Sequence, residues 1–171
     1  MDTIDRIIEQ WGSERPELDV SALEVVGRLS LLAGVVQIRL DEVFAQFGLQ
    51  DWEFDVLATL RRNGQPYELT PGELDRELLS SSGTTTHRLK KLEERGLVTR
   101  RKDDDDGRVL WVRLTDAGLD LQAAAHEAHA DNELRLVAGL DRAEREALQR
   151  GLAALARVLG DEAAVDGREG L

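Results

Sequence analysis

Between Thr70 and Leu114 the hydrophobic pattern switches from a helical period to strict alternation, and the residues that punctuate this switch admit few folds. Thr70-Pro71-Gly72-Glu73 sets a hydroxyl at an N-cap, proline at the first helical position and a carboxylate at the third, so a helix starts there. Ser81-Ser82-Gly83 separates it from a second helix that runs through Leu92 to Arg95 and is ended by Gly96. Two β-type runs follow, Leu97 to Arg101 and Arg108 to Leu114, joined by the turn Asp103 to Gly107, with Leu110, Val112 and Leu114 alternating on one face. Two short helices across a tight turn, then a hairpin, predict a winged helix-turn-helix. The expected fold class is mainly α with a small β-hairpin wing.

The flanks are helical. Residues 2 to 11 read as an amphipathic arm closed by Gly12 and Pro16. Ser21-Ala22-Leu23-Glu24 has capping-box spacing, and Leu23, Val26, Leu29, Ala33, Val36, Leu40, Val43, Phe44 and Phe47 then recur at helical intervals, which predicts a long helix ending near Gly48. Asp51 is placed to cap a helix that stops at Asn63-Gly64. Thr115 caps a helix to about Gly139, and Asp141-Arg142-Ala143-Glu144 opens a last one through Leu159. A single chain of 171 residues offers no second layer to cover the apolar stripes of these outer helices, so an intertwined homodimer is expected. The resulting division is an arm and dimerisation helix in 1–48, the winged helix-turn-helix in 49–115, C-terminal dimerisation helices in 116–160 and a flexible tail in 161–171.

Charge decides what such a fold can bind. The net charge of -12 argues against nucleic acid, whose affinity comes from Lys and Arg releasing counterions. The distribution says otherwise: Arg61 to Arg113 holds 12 basic and 10 acidic residues, and within Thr84 to Lys102 there are 7 basic and 2 acidic. The acid outside this segment keeps the chain dissolved and limits non-specific binding. The absence of Cys removes disulfides, thiolate nucleophiles and thiol redox sensing, so any signal is read by non-covalent binding. No apolar run reaches the ~20 residues of a membrane span, and the acidic start is unlike a signal peptide; a cytoplasmic protein is expected.

At about 100° per residue, Thr85, Leu89 and Leu92 fall on one stripe of the second helix and face the core. Opposite lie His87 and Lys90, flanked by Thr84 and Lys91, with Ser82 and Gly83 at the helix start. Short hydroxyls and basic groups there suit base edges and phosphates in a major groove, and the flanking capped helix and wing favour this over a merely solvated face. At the wing tip Arg108 is projected by a β-turn, with Asp106 placed to orient it, as minor-groove insertion requires. Four successive aspartates, Asp103 to Asp106, leave a mobile acidic turn as the alternative.

These motifs together resemble the MarR (multiple antibiotic resistance regulator) family over Leu49 to Gly118. The resemblance rests on Thr70-Pro71-Gly72-Glu73-Leu74, on Ser81 to Leu89, on Leu92-Glu93-Glu94-Arg95-Gly96-Leu97-Val98, on Asp106-x-Arg108 and on Val112 to Gly118. It implies a dimer that presents two recognition helices to a pseudo-palindromic operator in double-stranded DNA. Two positions depart from the family pattern: Gly107 replaces the first Arg of the usual Asp-Arg-Arg in the wing, and His87 stands where Asn is frequent.

Within the family, Trp52 to Leu60 and the Trp-bearing arm resemble the urate-responsive branch. That resemblance carries over four ligand-binding residues: Trp11 from the arm, Asp55 from the helix before the helix-turn-helix, Arg88 from the recognition helix and Arg100 at the wing root. Side-chain chemistry fits. Arg88 lies about 60° from the core stripe, Arg100 shares an inward strand face with Val98, and Asp55 between Phe54 and Val56 is expected to need a partner. Two guanidinium forks and a carboxylate converging in a cleft suit a small planar anion such as urate. The alternative is an Asp55–Arg ion pair that ties two helices, with Trp11 as a hydrophobic staple.

His126 and His129 share a helix face, but their spacing departs from HExxH and no third ligand accompanies them, so a solvated face is expected, with no metal and no cofactor beyond the effector. No nucleophile–base pair, phosphate loop or catalytic carboxylate pair occurs, and an enzyme is not expected. Two other readings stay open: a regulator of the same fold that answers a phenolic acid, and a winged-helix protein-interaction module that has lost DNA binding.

Overall fold

The computed structural model describes residues 1–78, 82–104 and 106–160. The predicted tail at 161–171 and Ser81 of the inter-helix turn lie outside the described residues. The chain divides into two compact units, Met1–Glu42 and Val43–Leu171.

The first unit holds α1 (Thr3–Glu14) and most of α2 (Leu23–Gln46). Asp2 caps α1 by accepting from the backbone N–H groups of Ile4 and Asp5 at 2.8 and 2.9 Å, and Asp5 returns the bond to the Asp2 N–H at 2.8 Å. Both carboxylates then engage Arg28 of α2, Asp2 at 2.8 Å. Ile4 is buried against Gly27, where a Cβ would stand 3.1 Å from the Ile4 Cδ1. The arm is longer than expected, since α1 continues through Gly12 to Glu14. Ser21 and Glu24 do not form the predicted box: the Ser21 N–H donates to Asp19 instead, at 2.9 Å. Most of α2 is apolar yet exposed, with Val25, Val26, Leu32, Val35 and Ile38 all open to solvent.

The second unit contains α3 (Asp51–Arg62), β1 (Glu68–Leu69), α4 (Pro71–Leu78), α5 (Ser82–Glu94), β2 (Val98–Lys102), β3 (Leu110–Leu114), α6 (Asp116–Leu136) and α7 (Arg142–Leu159). Four caps fix its boundaries. The Thr70 hydroxyl donates to Glu73 at 2.8 Å, and the Glu73 carboxylate also takes the Thr70 N–H at 2.8 Å. These bonds hold the Glu73 carboxyl below its usual range. Thr115 accepts from the Gly118 N–H at 2.9 Å, and Asp141 with Glu144 forms the predicted box on α7. At α3 the expectation is off by one residue. Gln50 is the N-cap, with Glu53 returning a bond to its N–H at 2.9 Å, and Asp51 is already in the first turn.

The wing forms as predicted but gains a third strand. Two-residue β1 is too short to show alternation in sequence, yet it pairs with β3 in the order β1-β3-β2, all antiparallel, with Leu69 opposite Val112 and Arg100 opposite Val112 on the other edge. Leu57, Leu60, Leu74, Leu89, Leu92, Val98 and Val112 bury their side chains almost completely, so α3, α4, α5 and the sheet share one core. This is what holds α5 in place and turns its opposite side outward. No helix among the described residues is long and apolar enough to cross a membrane.

Candidate nucleic-acid interface

Helix α5 is sided as its sequence predicts. Thr85, Leu89 and Leu92 are at most 1% exposed, whereas Gly83, Thr84, His87, Lys90 and Lys91 are exposed. Ser82 is the first residue of the helix; its side chain lies outside the described residues. The outward face therefore carries a hydroxyl, an imidazole and two ammonium groups within three turns. Lys90 stands 3.9 Å from Glu94 one turn on, a contact too long and too exposed to hold it from a phosphate.

Lys91 and Arg88 share a platform that the sequence does not reveal. The Arg88 guanidinium lies 5.5 Å from the centroid of the Trp52 ring and the Lys91 ammonium 6.0 Å from it, distances at which a cation is attracted to an indole face. The indole N–H of Trp52 donates to the Gln50 side chain, which fixes the ring at the start of α3. In sequence Trp52 belongs to an apolar helix pattern; only the packing of α5 beside the first turn of α3 makes it a platform.

At the wing tip Arg108 is fully solvated at 94% exposure, with its Nε 3.4 Å from an Asp106 carboxylate oxygen that also accepts the Arg108 backbone N–H at 3.0 Å. Asp106 thus shapes the turn and stands beside the guanidinium. The acidic run is less adverse to DNA than its composition suggests. Asp103 takes the Asp106 N–H at 2.9 Å and the Trp111 indole N–H at 2.8 Å, so one of the four carboxylates is turned back into the hairpin.

Of the four residues carried over for ligand binding, Arg88 and Arg100 attach to different flanks of α5, and Asp55 stands on the outer face of α3. Asp55 is exposed on α3, not enclosed between Phe54 and Val56, because helical geometry sends both neighbours inward and leaves it outside. It lies three residues after Trp52 and so shares the face on which Arg88 rests. Arg88 is half-buried, flanking the core as its helical angle predicts. Arg100 is also half-buried, but its partner is Glu93 of α5: its Nε donates to Glu93 Oε2 at 2.8 Å and its Nη2 to the same oxygen. Around α5, Arg88 and Glu93 are about 140° apart, on opposite flanks of the core stripe. The two guanidinium groups thus attach to different sides of the recognition helix. Trp11 lies on α1, 44% exposed, in the first unit.

The buried acid on α3 is Glu53 instead. Its side chain is 7% exposed, closes the α3 cap through one oxygen and binds Arg95 at 2.6 Å through the other. Glu at the third position of a helix is the available signal, hidden when the cap is assigned to Asp51.

His126 and His129 do not simply form a solvated face. His129 packs its ring 5.2 Å from Phe44 and 5.1 Å from Phe54, and Phe54 also meets the exposed His126 edge-on at 6.1 Å. An aromatic layer beneath α6 draws one imidazole inward. Among the described residues no group of three His, Asp or Glu is arranged to hold a metal.

The sequence profile of the MarR family matches residues 47–109. The HTH-type transcriptional regulator PecS of Dickeya dadantii is 37% identical over 142 residues, which span 83% of this chain and 86% of PecS. Among solved structures, the chain is similar to the C80S mutant of MarR from E. coli complexed with operator DNA, at 25% identity and a TM-score of 0.66 over 81% of this chain and 99% of that one. AbsC, a MarR family transcriptional regulator from Streptomyces coelicolor, shares the fold at 20% identity with a TM-score of 0.72, over 83% of this chain and 96% of its own.

Proposed function

Because this chain belongs to the MarR family of DNA-binding transcriptional regulators, we propose that it is a homodimeric repressor that leaves a pseudo-palindromic operator when a small planar anion of the urate type binds. The observation that carries this reading is the two-sidedness of α5: a face closed into the core by Thr85, Leu89 and Leu92, and an open face of Thr84, His87, Lys90 and Lys91. A helix held this firmly and this basic on its outward side suits a major groove, with Arg108 reaching the neighbouring minor groove.

Dimerisation is supported by apolar surface. On α2 the exposed Val25, Val26, Leu29, Leu32, Val35 and Ile38, and on α6 and α7 the exposed Leu134, Leu148, Leu152 and Leu159, are apolar side chains left open to water. A second copy is the natural cover. Three of the four segments proposed from sequence, the recognition module in 49–115 between dimerisation helices in 1–48 and 116–160, are in keeping with that.

For the effector, Arg88 offers a guanidinium fork above Trp52, with Asp55 on the same face of α3, and a flat anion suits both fork and ring. Trp11 and Arg100 join this proposal through the branch resemblance. The action belongs in the cytoplasm, where the DNA is.

DNA binding is tested by mobility shift with the DNA upstream of the chain's own gene. Lys90→Gln and Lys91→Gln are each expected to weaken operator and scrambled DNA alike. Each should flatten the slope of log K against log salt by about one unit for every phosphate left without its cation, hence about two in a dimer. No shift of any DNA at low salt would leave the protein-interaction reading in its place.

A further inference from the structure

The recognition helix is tied to its surroundings by two ion pairs that emerge from its last turn in different directions. Arg95, just past the end of α5, reaches Glu53 of α3 at 2.6 Å. Glu93, within α5, is gripped at one oxygen by two nitrogens of Arg100, the third residue of β2. This contact holds the Glu93 carboxyl below its usual range and raises Arg100 in turn. The next residue, Arg101, points to the other face of the strand and pairs with Glu68 of β1 at 3.0 Å. Strand β2 is therefore pinned on both faces, to the sheet edge by Arg101 and to the recognition helix by Arg100.

We propose that the Glu93–Arg100 pair is the latch that sets the angle of the wing against the recognition helix, making Arg100 a positioning residue that acts through Glu93. Neither DNA nor the effector need touch Arg100 for it to matter. The two ties differ in what breaking them entails. Glu53 is only 7% exposed, so losing Arg95 strands a buried charge, whereas Glu93 and Arg100 keep 36% and 29% of their side chains in water and separate at little cost. The outer part of β2, beyond the buried Val98, is thus the part of the wing whose angle can change while α5 stays on α3. A winged helix reads two grooves at once, so a small change in that angle uncouples Arg108 from the groove contacts of α5.

The proposal rests on the DNA-binding reading, and electrostatics makes it testable apart from that reading. Glu93→Gln removes a negative charge beside DNA, which by charge alone tightens binding. The latch requires the opposite: a loss of operator affinity of about three- to tenfold in effector-free protein, with the salt slope unchanged. Arg100→Gln should show a loss of the same size, and the double variant should be no worse than either single one, because both remove one shared interaction. Exchanging the charges, Glu93→Arg with Arg100→Glu, should restore most of the affinity that each reversal alone removes. Fluorescence anisotropy on a labelled operator gives all these values, and circular dichroism confirms that the variants fold. Unchanged or tighter binding by Glu93→Gln, or losses that add in the double variant, overturns the latch. Failure of the unmodified chain to bind any operator overturns the DNA-binding reading instead.

Discussion

Gly118→Ala is expected to destabilise the fold more than any other single-methyl addition at a described glycine. A Cβ at this position would stand 2.1 Å from the backbone oxygen of Leu97 and 3.3 Å from the Leu114 side chain. The seam it enters cannot give way cheaply. The Thr115 hydroxyl accepts from the Gly118 N–H at 2.9 Å and donates to the carbonyls of Gly96 and Leu97, at 2.8 and 3.2 Å, while the Thr115 N–H bonds Leu97 at 3.1 Å. Moving Leu97 away therefore breaks its bonds to Thr115, the N-cap of α6, at the root of β2. A loss of about 3 kcal/mol or more follows from overpacking against backbone, a fall in Tm of roughly 6 to 12 °C for a chain of this length. Gly72→Ala, with nothing within 4 Å of its Cβ, is the matched control and should leave Tm nearly unchanged. A Gly118→Ala protein melting within about 2 °C of the parent would show that α6 does not close on β2 as described.

The second large effect concerns sequence reading. Replacing Thr84, His87 and Arg108 together by Ala removes the outward hydroxyl and imidazole of α5 and the wing-tip guanidinium, none of which supports the core. At about 1 to 3 kcal/mol for each base-directed contact, operator affinity should fall at least a hundredfold. Scrambled DNA, held by Lys90, Lys91 and the other cations, should lose far less, so the ratio of the two affinities is the informative quantity. Anisotropy titrations on both DNAs measure it. A triple variant that keeps its specificity ratio would place the reading surface elsewhere.

What is legible in the sequence is whatever rests on local chemistry. The caps at Thr70, Thr115 and Asp141 follow from hydrogen bonds within one turn, and the burial of Thr85, Leu89 and Leu92 follows from helical angle alone. Sequence reasoning errs where a neighbour in space, not in the chain, decides. The apolar residues beside Asp55 suggest a buried environment, whereas Glu53 is the enclosed acid because Arg95 arrives 42 residues later to meet it. Arg100 reads in sequence as an unpaired fork; in the structure Glu93, seven residues earlier, pairs with it. Strand β1 exists only because β3 presents an edge to it. His129 turns inward because Phe44 and Phe54, on two other helices, stack where its ring can reach.

The central claim is that a planar anion releases this protein from DNA through the recognition helix. Two effector sites per dimer add, so even a tenfold preference for the released form, about 1.4 kcal/mol each, shifts the balance about a hundredfold. The direct measurement titrates urate, xanthine and salicylate into the preformed complex with its operator, for the parent and for Arg88→Ala. The account predicts that urate dissolves the parent complex and that Arg88→Ala, while still binding operator, resists it. Release by salicylate alone, or an undiminished urate response in Arg88→Ala, would contradict it.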